Sequence, residues 1–361
     1  MKFRLAKTAP LAFALVSVAM AGCSATSASG PHKHVTSSSP ASSPSSGSPQ
    51  AASTAVPSTG VTSCGAAGSS AVSTAAQLSK ALAAAQPGQT IVLAAGTYQG
   101  DFAASASGTS TSPITLCGSR SAVLEGQSIK KGYVFHLDHA SWWRLEGFTV
   151  EGGQKGVVAD GVTHDLIDGL YVHGTGDEAI HLREFSSYNT VSHNVVRDTG
   201  LREQFFGEGI YVGSAHKNWC RYTGCRPDAS NYNVIVGNNI ADTTAENIDI
   251  KEGTTGGTIS GNTFNGTGMV SSAATSWVNV KGNDWKIEDN TGTDSIGNGF
   301  SVHQVYPGWG LSNIFRDNHA AFSGPGYGIY VQSKHLGTVV ACNNVATGAG
   351  GGLSNISCSN T

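Results

Sequence analysis

The sequence predicts an all-β chain wound as a right-handed parallel β-helix, a solenoid, with an N-terminal capping helix. Two internal repeats and one helical segment carry that reading. The first repeat is a six-residue unit with apolar residues at its third and fifth positions and mostly polar ones at its first, fourth and sixth. Its eight copies are Tyr133 to Asp138, Lys155 to Asp160, Glu178 to Arg183, Glu208 to Gly213, Glu246 to Lys251, Ser276 to Lys281, Asn298 to His303 and Tyr327 to Gln332. Self-similarity at a period of tens of residues is the signature of a solenoid, in which each coil contacts only its neighbours. The typical spacing between copies, 22 to 30 residues, fits one coil of short parallel strands.

Taken from the start, residues 1–22 carry a basic end (Lys2, Arg4, Lys7), an apolar run from Leu11 to Met20, and Ala21-Gly22 before Cys23. This is the layout of a signal peptide, and the apolar run is too short for a membrane span. Small residues before a cysteine resemble the bacterial lipobox, so Cys23 is expected to be lipidated. The rest of 23–62 is a Ser/Ala/Pro/Thr-rich segment that lacks the apolar surface to fold and reads as a flexible tether. Residues 63–361 form the β-helix domain. The expected location is extracellular, anchored to the bacterial membrane only through the lipid, and the expected state is a monomer.

At the start of that domain Ala75, Leu78, Leu82 and Ala85 have helical spacing, and Pro87-Gly88 ends the helix. Such a helix covers the open end of the first coil, where an unpaired edge invites aggregation. Strands at Thr90 to Leu93 and around Ile114 to Leu116 follow. A second repeat follows most rungs: an apolar residue, two small or polar ones, then asparagine, at Asn194, Asn238, Asn262, Asn290, Asn318 and Asn343, with Phe148 and Leu170 in the same place earlier. An inward asparagine repeated coil after coil can hydrogen-bond its neighbours' backbone as a ladder. Two longer gaps mark insertions: after Gly213 through Trp219, Cys220 and Cys225 to Tyr232, and Gln304 to Ser312.

Of the 7 cysteines, Cys23 is set aside, and an even number in an exported chain predicts disulfides. Proximity in sequence favours Cys220–Cys225 and Cys342–Cys358, leaving Cys64–Cys117; zinc is the weaker alternative, because no histidine has ligand spacing. A net charge of −3 with 12% charged residues gives no basic patch for nucleic acid.

Equivalent positions of successive coils stack about 4.8 Å apart, so the rungs read as columns. The first position runs Lys155, Glu178, Glu208, Glu246, Ser276, Asn298; the fourth runs His181, Tyr211, Asp249, Asn279, Ser301; the sixth runs Arg183, Gly213, Lys251, Lys281, His303. Glutamates in consecutive coils repel unless a counter-charge lies near. One reading is a Ca²⁺ site held by Glu178, Glu208, Glu246 and Asp249, since calcium takes several oxygen ligands. The other is a solvated ladder of ordinary ion pairs to Arg183 and Lys251. His181, Tyr211, Lys281 and His303 line the same face as candidate substrate contacts.

The stretch AAQLSKALAAAQPGQTIVLAAGTYQG, residues 75–100, resembles the entry segment of the pectate-lyase-like right-handed β-helix superfamily. The segment Glu246-Asn-Ile-Asp-Ile-Lys251, with the turn Gly261 to Phe264, resembles the Glu-x-Ile-x-x-Lys stretch of the chondroitinase B and alginate lyase family. The resemblance implies that Glu246 binds calcium and that Lys251 is the Brønsted base. That family's second glutamate is Thr244 here, and its arginine acid has no counterpart near Ala274, so Lys281 or Arg183 is expected in its place. The chemistry that unites these residues is β-elimination from a uronic acid, whose C5 proton is removable once the neighbouring carboxylate is neutralised. The sequence therefore points to a calcium-dependent lyase of an acidic polysaccharide with Lys251 and Arg183 catalytic. The competing readings are a β-helix glycoside hydrolase and a non-catalytic carbohydrate-binding surface protein.

Overall fold

A computed structural model describes Cys64 and residues 70–360. The expected signal peptide, Cys23 and the whole expected tether, residues 1–62, lie outside the described residues. Three parallel sheets run the length of the stack: eleven strands from Ser70–Val72 to Val339–Val340, ten from Gly96–Gln99 to Val345–Ala349, and nine from Phe102–Ala104 to Ile329–Val331. Each interior strand pairs in parallel with those of the preceding and following coils, as a parallel β-helix requires.

All eight six-residue units fall in the nine-stranded sheet. Their third positions, Phe135, Val157, Ile180, Ile210, Ile248, Val278, Phe300 and Ile329, are in register and buried. The fifth positions from Leu137 to Val331 form a second inward column. Burying each such side chain contributes about 1.5–3 kcal/mol, and only a stack of coils can bury them, since a single coil has two open ends.

The helix spans Ala75–Ala83, capped by the Thr74 hydroxyl accepting from the Gln77 N–H at 3.2 Å. Its Leu78 and Leu82 are buried, and it packs against the first strands of the stack. All three disulfides are formed as paired from spacing: Cys64–Cys117, Cys220–Cys225 and Cys342–Cys358.

The asparagine ladder runs through Asn194, Asn238, Asn262, Asn290 and Asn318, each side-chain Nδ2 donating to the next Oδ1 at 2.8–3.0 Å. It ends on Asn344, a correction to the expected Asn343. Asn343 instead lies on the outside, its Nδ2 donating to Asp317 at 2.8 Å. A shorter second ladder, Asn189 to Asn233, bridges coils on another turn. Leu170, in the earlier coil, donates its N–H to Asn194 Oδ1 at 2.9 Å, which is how the ladder starts on an apolar residue.

The two expected insertions both follow the sixth position of their rungs, along one edge of the nine-stranded sheet. They meet there: the Tyr306 ring lies 5.0 Å from His216 and 5.2 Å from Trp219. A third extension went unrecognised in the sequence. Residues 198–207 precede Glu208, where only 241–245 precede Glu246 in the next coil, so the opposite edge of the same sheet also carries a raised segment. The outward face of the sheet is thus a trough between two lips.

Candidate active site

Alternation along each strand turns the fourth and sixth positions outward, and register then stacks His181, Tyr211, Asp249, Asn279 and Ser301 into one line. The long side chains at the first and sixth positions lean over that line and form two separate clusters.

The upstream cluster is held together by ion pairs and hydrogen bonds. Lys155 Nζ donates to Glu178 at 2.8 Å and lies 3.2 Å from His181 Nδ1, while His181 Nε2 is 3.0 Å from the Gly213 carbonyl. That carbonyl needs a donor, so Nε2 carries the proton and Nδ1 accepts from the lysine. Burial and Lys155 push the His181 pKa down, keeping the ring neutral. Burial works against ionised Glu178, but Lys155 and His181 outweigh it and hold its carboxyl below the usual range. Arg183 donates twice to Asp160, at 2.6 and 2.9 Å, and once to the Tyr133 hydroxyl at 3.1 Å, with the Tyr222 ring 4.4 Å away. With its guanidinium enclosed in this way, Arg183 is a brace for the Cys220–Cys225 insertion. Glu178, expected among the calcium ligands, is likewise tied to Lys155 and stands outside the downstream acid cluster.

The downstream cluster is where charge is unbalanced. One carboxylate oxygen from each of Glu208, Glu246 and Asp249 lies within 4.8 Å of the others, and all three residues are buried. Asp249 accepts from Lys251 at 2.6 Å and from Lys281 at 2.5 Å. Burial opposes its charge, but the two lysines prevail and lower its pKa. Asn279 Nδ2 donates to Glu246 at 2.9 Å, and His303 Nδ1 lies 2.8 Å from Asn279 Oδ1. Glu208 Oε2 is buried with no hydrogen-bond partner among the described residues. Burial, reinforced by Glu178 and Asp249, pushes the Glu208 carboxyl well above the carboxylate range. Glu246 is raised as well, by burial and by Asp249.

Lys251 is held above the usual lysine range. Burial alone would lower it, but Asp249, Tyr211 and Glu208 outweigh that. Its ammonium sits 4.9 Å from the Tyr211 ring centre, and its side chain keeps 15% exposure. Burial pushes the Tyr211 hydroxyl well above its ordinary pKa, so the phenol stays protonated. Asn279 was legible only as a member of the fourth column. Its bridging role between Glu246 and His303 depends on side-chain directions that no spacing encodes.

Among the calcium candidates, Glu208, Glu246 and Asp249 fit a hard cation. They offer only oxygen donors, converge, and include a buried Glu208 oxygen with no hydrogen-bond partner among the described residues.

A parallel β-helix with an acid and lysine cluster on one open face is the architecture of the pectate-lyase-like superfamily. A family model for the Pel9A-like right-handed β-helix region matches residues 60–226. The crystal structure of an alginate lyase from Paenibacillus sp. str. FPU-7 superposes with a TM-score of 0.73 at 36% identity, covering 79% of this chain and 97% of that one. The pectate lyase Pel9A superposes at 0.51 with 17% identity, covering 77% of this chain and 76% of that one, a likeness of fold. No curated protein sequence matches the chain. At 36% identity over nearly all of that alginate lyase, the chain belongs to the same family of parallel β-helix polysaccharide lyases.

Proposed function

We propose that the chain cleaves a uronate polymer of the alginate type by β-elimination. The observation that carries this reading is the Lys251–Asp249–Lys281 chain of ion pairs, beside Tyr211 and the Glu208–Glu246 pair, at the centre of the trough. A cationic rim around a protonated phenol suits a polyanion whose carboxylate must be neutralised before its C5 proton can leave. The alginate lyase activity of the Paenibacillus relative points the same way.

In this reading Lys281 and His303 meet the uronate carboxylate, Lys251 takes the C5 proton, and the Tyr211 hydroxyl gives a proton to the departing glycosidic oxygen. Tyr211 takes the acid role because Arg183 is enclosed by Asp160, Tyr133 and Tyr222. Tyr211 Oη has no protein hydrogen bond among the described residues, and its raised pKa keeps the proton on it. Lys251 serves as a base only when the acidic field of Asp249 and Glu208 is compensated, because that field is what holds its proton. Ca²⁺ is the proposed compensating group, held by Glu208, Glu246 and Asp249, and when bound it would supply positive charge to both the field and the substrate carboxylate. With a lipid on Cys23, the enzyme would work at the cell surface.

The test is a panel of alginate, pectate and a glycosaminoglycan, with calcium or chelator. Ultraviolet-absorbing unsaturated ends, lost in Lys251→Ala, are expected. New reducing ends without that absorbance would replace the lyase by a hydrolase, and neither product from any polymer would leave only binding.

A further inference from the structure

The segment 198–207 presents three large apolar side chains to solvent beside the site: Leu201 at 56% exposure, Phe205 at 54% and Phe206 at 47%. Burying a phenylalanine on folding is stabilising, so two adjacent exposed rings forgo that stabilisation. The exposure is not a result of loose backbone. On the upstream side, the Leu201 and Arg202 N–H groups donate to the Thr175 and Gly176 carbonyls at 3.1 and 2.8 Å. The Arg202 guanidinium grips Asp177 through two hydrogen bonds of 2.9 and 2.7 Å. On the downstream side, the Thr244 hydroxyl donates to the Gln204 carbonyl at 2.9 Å, and the Thr199 hydroxyl closes the neck of the segment onto the Gly207 carbonyl. Thr244 stands where the resemblance places a second glutamate. In this chain the position is spent on fixing the aromatic segment.

Its place in the fold puts the exposed rings at one edge of the nine-stranded sheet. Phe206 is two residues before Glu208, so the segment that carries the rings borders the first-position column, at the edge of the sheet opposite the one where Tyr306, His216 and Trp219 meet. A six-residue rung is about 20 Å long, so a ligand touching both a lip and the Lys251 cluster must be an extended chain.

We propose that Phe205 and Phe206 form a sugar-binding platform that stacks on the apolar C–H face of a pyranose unit of the polymer, several units along the chain from the one whose carboxylate meets the lysine cluster. This deepens the function proposed above and rests on it for the identity of the polymer. Aromatic rings supply broad contact area at little conformational cost. Phe205 and Phe206, having no hydroxyl, distinguish the apolar sugar face without competing for the uronate carboxylate, which the lysines take. Size selectivity follows: long chains engage the platform, and short ones reaching only the cluster do not.

The experiment compares the full chain with its Phe205→Ala/Phe206→Ala double variant. Binding to a uronate hexasaccharide and a disaccharide is measured by calorimetry, alongside KM on the polymer. The platform predicts roughly 10-fold weaker hexasaccharide binding and a matching rise in KM, a ratio corresponding to about 1.4 kcal/mol. Disaccharide binding should move by less than about 2-fold, and Phe206→Trp should restore the hexasaccharide. Thermal melting should be little altered, since neither ring is buried. Equal hexasaccharide affinity in wild type and double variant would overturn the platform. So would a concentration-dependent dimer in wild type that the double variant abolishes, because the patch would then be a subunit contact. If wild type yields no unsaturated product, the lyase reading fails by itself, and the calorimetric comparison still decides the platform.

Discussion

Glu208 offers the sharpest test of the site, because ionising it is costly to the fold unless a cation lies beside it. Its carboxylate is buried, one oxygen has no partner, and oxygens of Glu246 and Asp249 lie within 4.8 Å. Two unit charges at that separation in an effective dielectric of about 20 repel by ~3.5 kcal/mol, and attraction to Lys251 returns part of it. Replacing Glu208 by Gln keeps the shape and deletes the charge. In chelator at neutral pH the variant should gain about 1–3 kcal/mol, or roughly 2–10 °C in Tm. The sign with pH follows from the raised folded pKa. Below the unfolded value near 4.3 the group is protonated in both states and the variant gains nothing. As pH rises above it, the unfolded state ionises first, so the wild type loses stability relative to the variant until the folded carboxyl also ionises. With millimolar Ca²⁺ the order should reverse, wild type rising and Glu208→Gln staying level. The assay is scanning calorimetry in chelator and in calcium from about pH 3 to 8. A variant less stable than wild type in chelator at neutral pH, or a gain that persists unchanged at pH 3, would refute the assignment of an uncompensated buried charge.

Lys251→Ala should cut turnover by about 10²–10⁴-fold with the melting temperature within a few degrees of wild type, read from ultraviolet product formation. Arg183→Ala should act on stability, costing about 3–5 kcal/mol by stranding Asp160, with the loss measured by urea denaturation. Asn262→Leu should destabilise by about 1–3 kcal/mol, because it leaves the Asn238 amide and the Asn290 carbonyl oxygen without their ladder partner in a buried column, and hydrogen exchange should rise first in the coils carrying those residues. Ile248→Ala, at the inward third position beneath the acid cluster, should cost about 2–5 kcal/mol in the same denaturation assay.

The fold was legible because solenoid packing is local. The apolar third and fifth positions repeat with each coil, and register follows from hiding them, so Ile180, Ile210, Ile248 and Val278 aligned by sequence also align in space. The asparagine motif was legible for the same reason, except at its end, where the adjacent pair Asn343 and Asn344 gives two candidates and only the turn chooses. The columns were legible as lists of residues but not as partnerships. Glu178 and Glu208 occupy equivalent positions in adjacent coils, yet Lys155 forms an ion pair with the first at 2.7 Å, and among the described residues no ion pair reaches the second.

The sequence by itself therefore determined the winding, the inward columns, the cysteine pairing and the set of side chains on the open face, all of which are fixed by period and proximity. Tertiary structure alone decided which of those side chains work together. Arg183 was drawn to Asp160 one coil back, Lys251 and Lys281 converged on Asp249, and segment 198–207 rose beside Glu208 with its phenylalanines outward. Long charged side chains reach across coils, and which neighbour they reach depends on burial and competing charge, neither of which has a period.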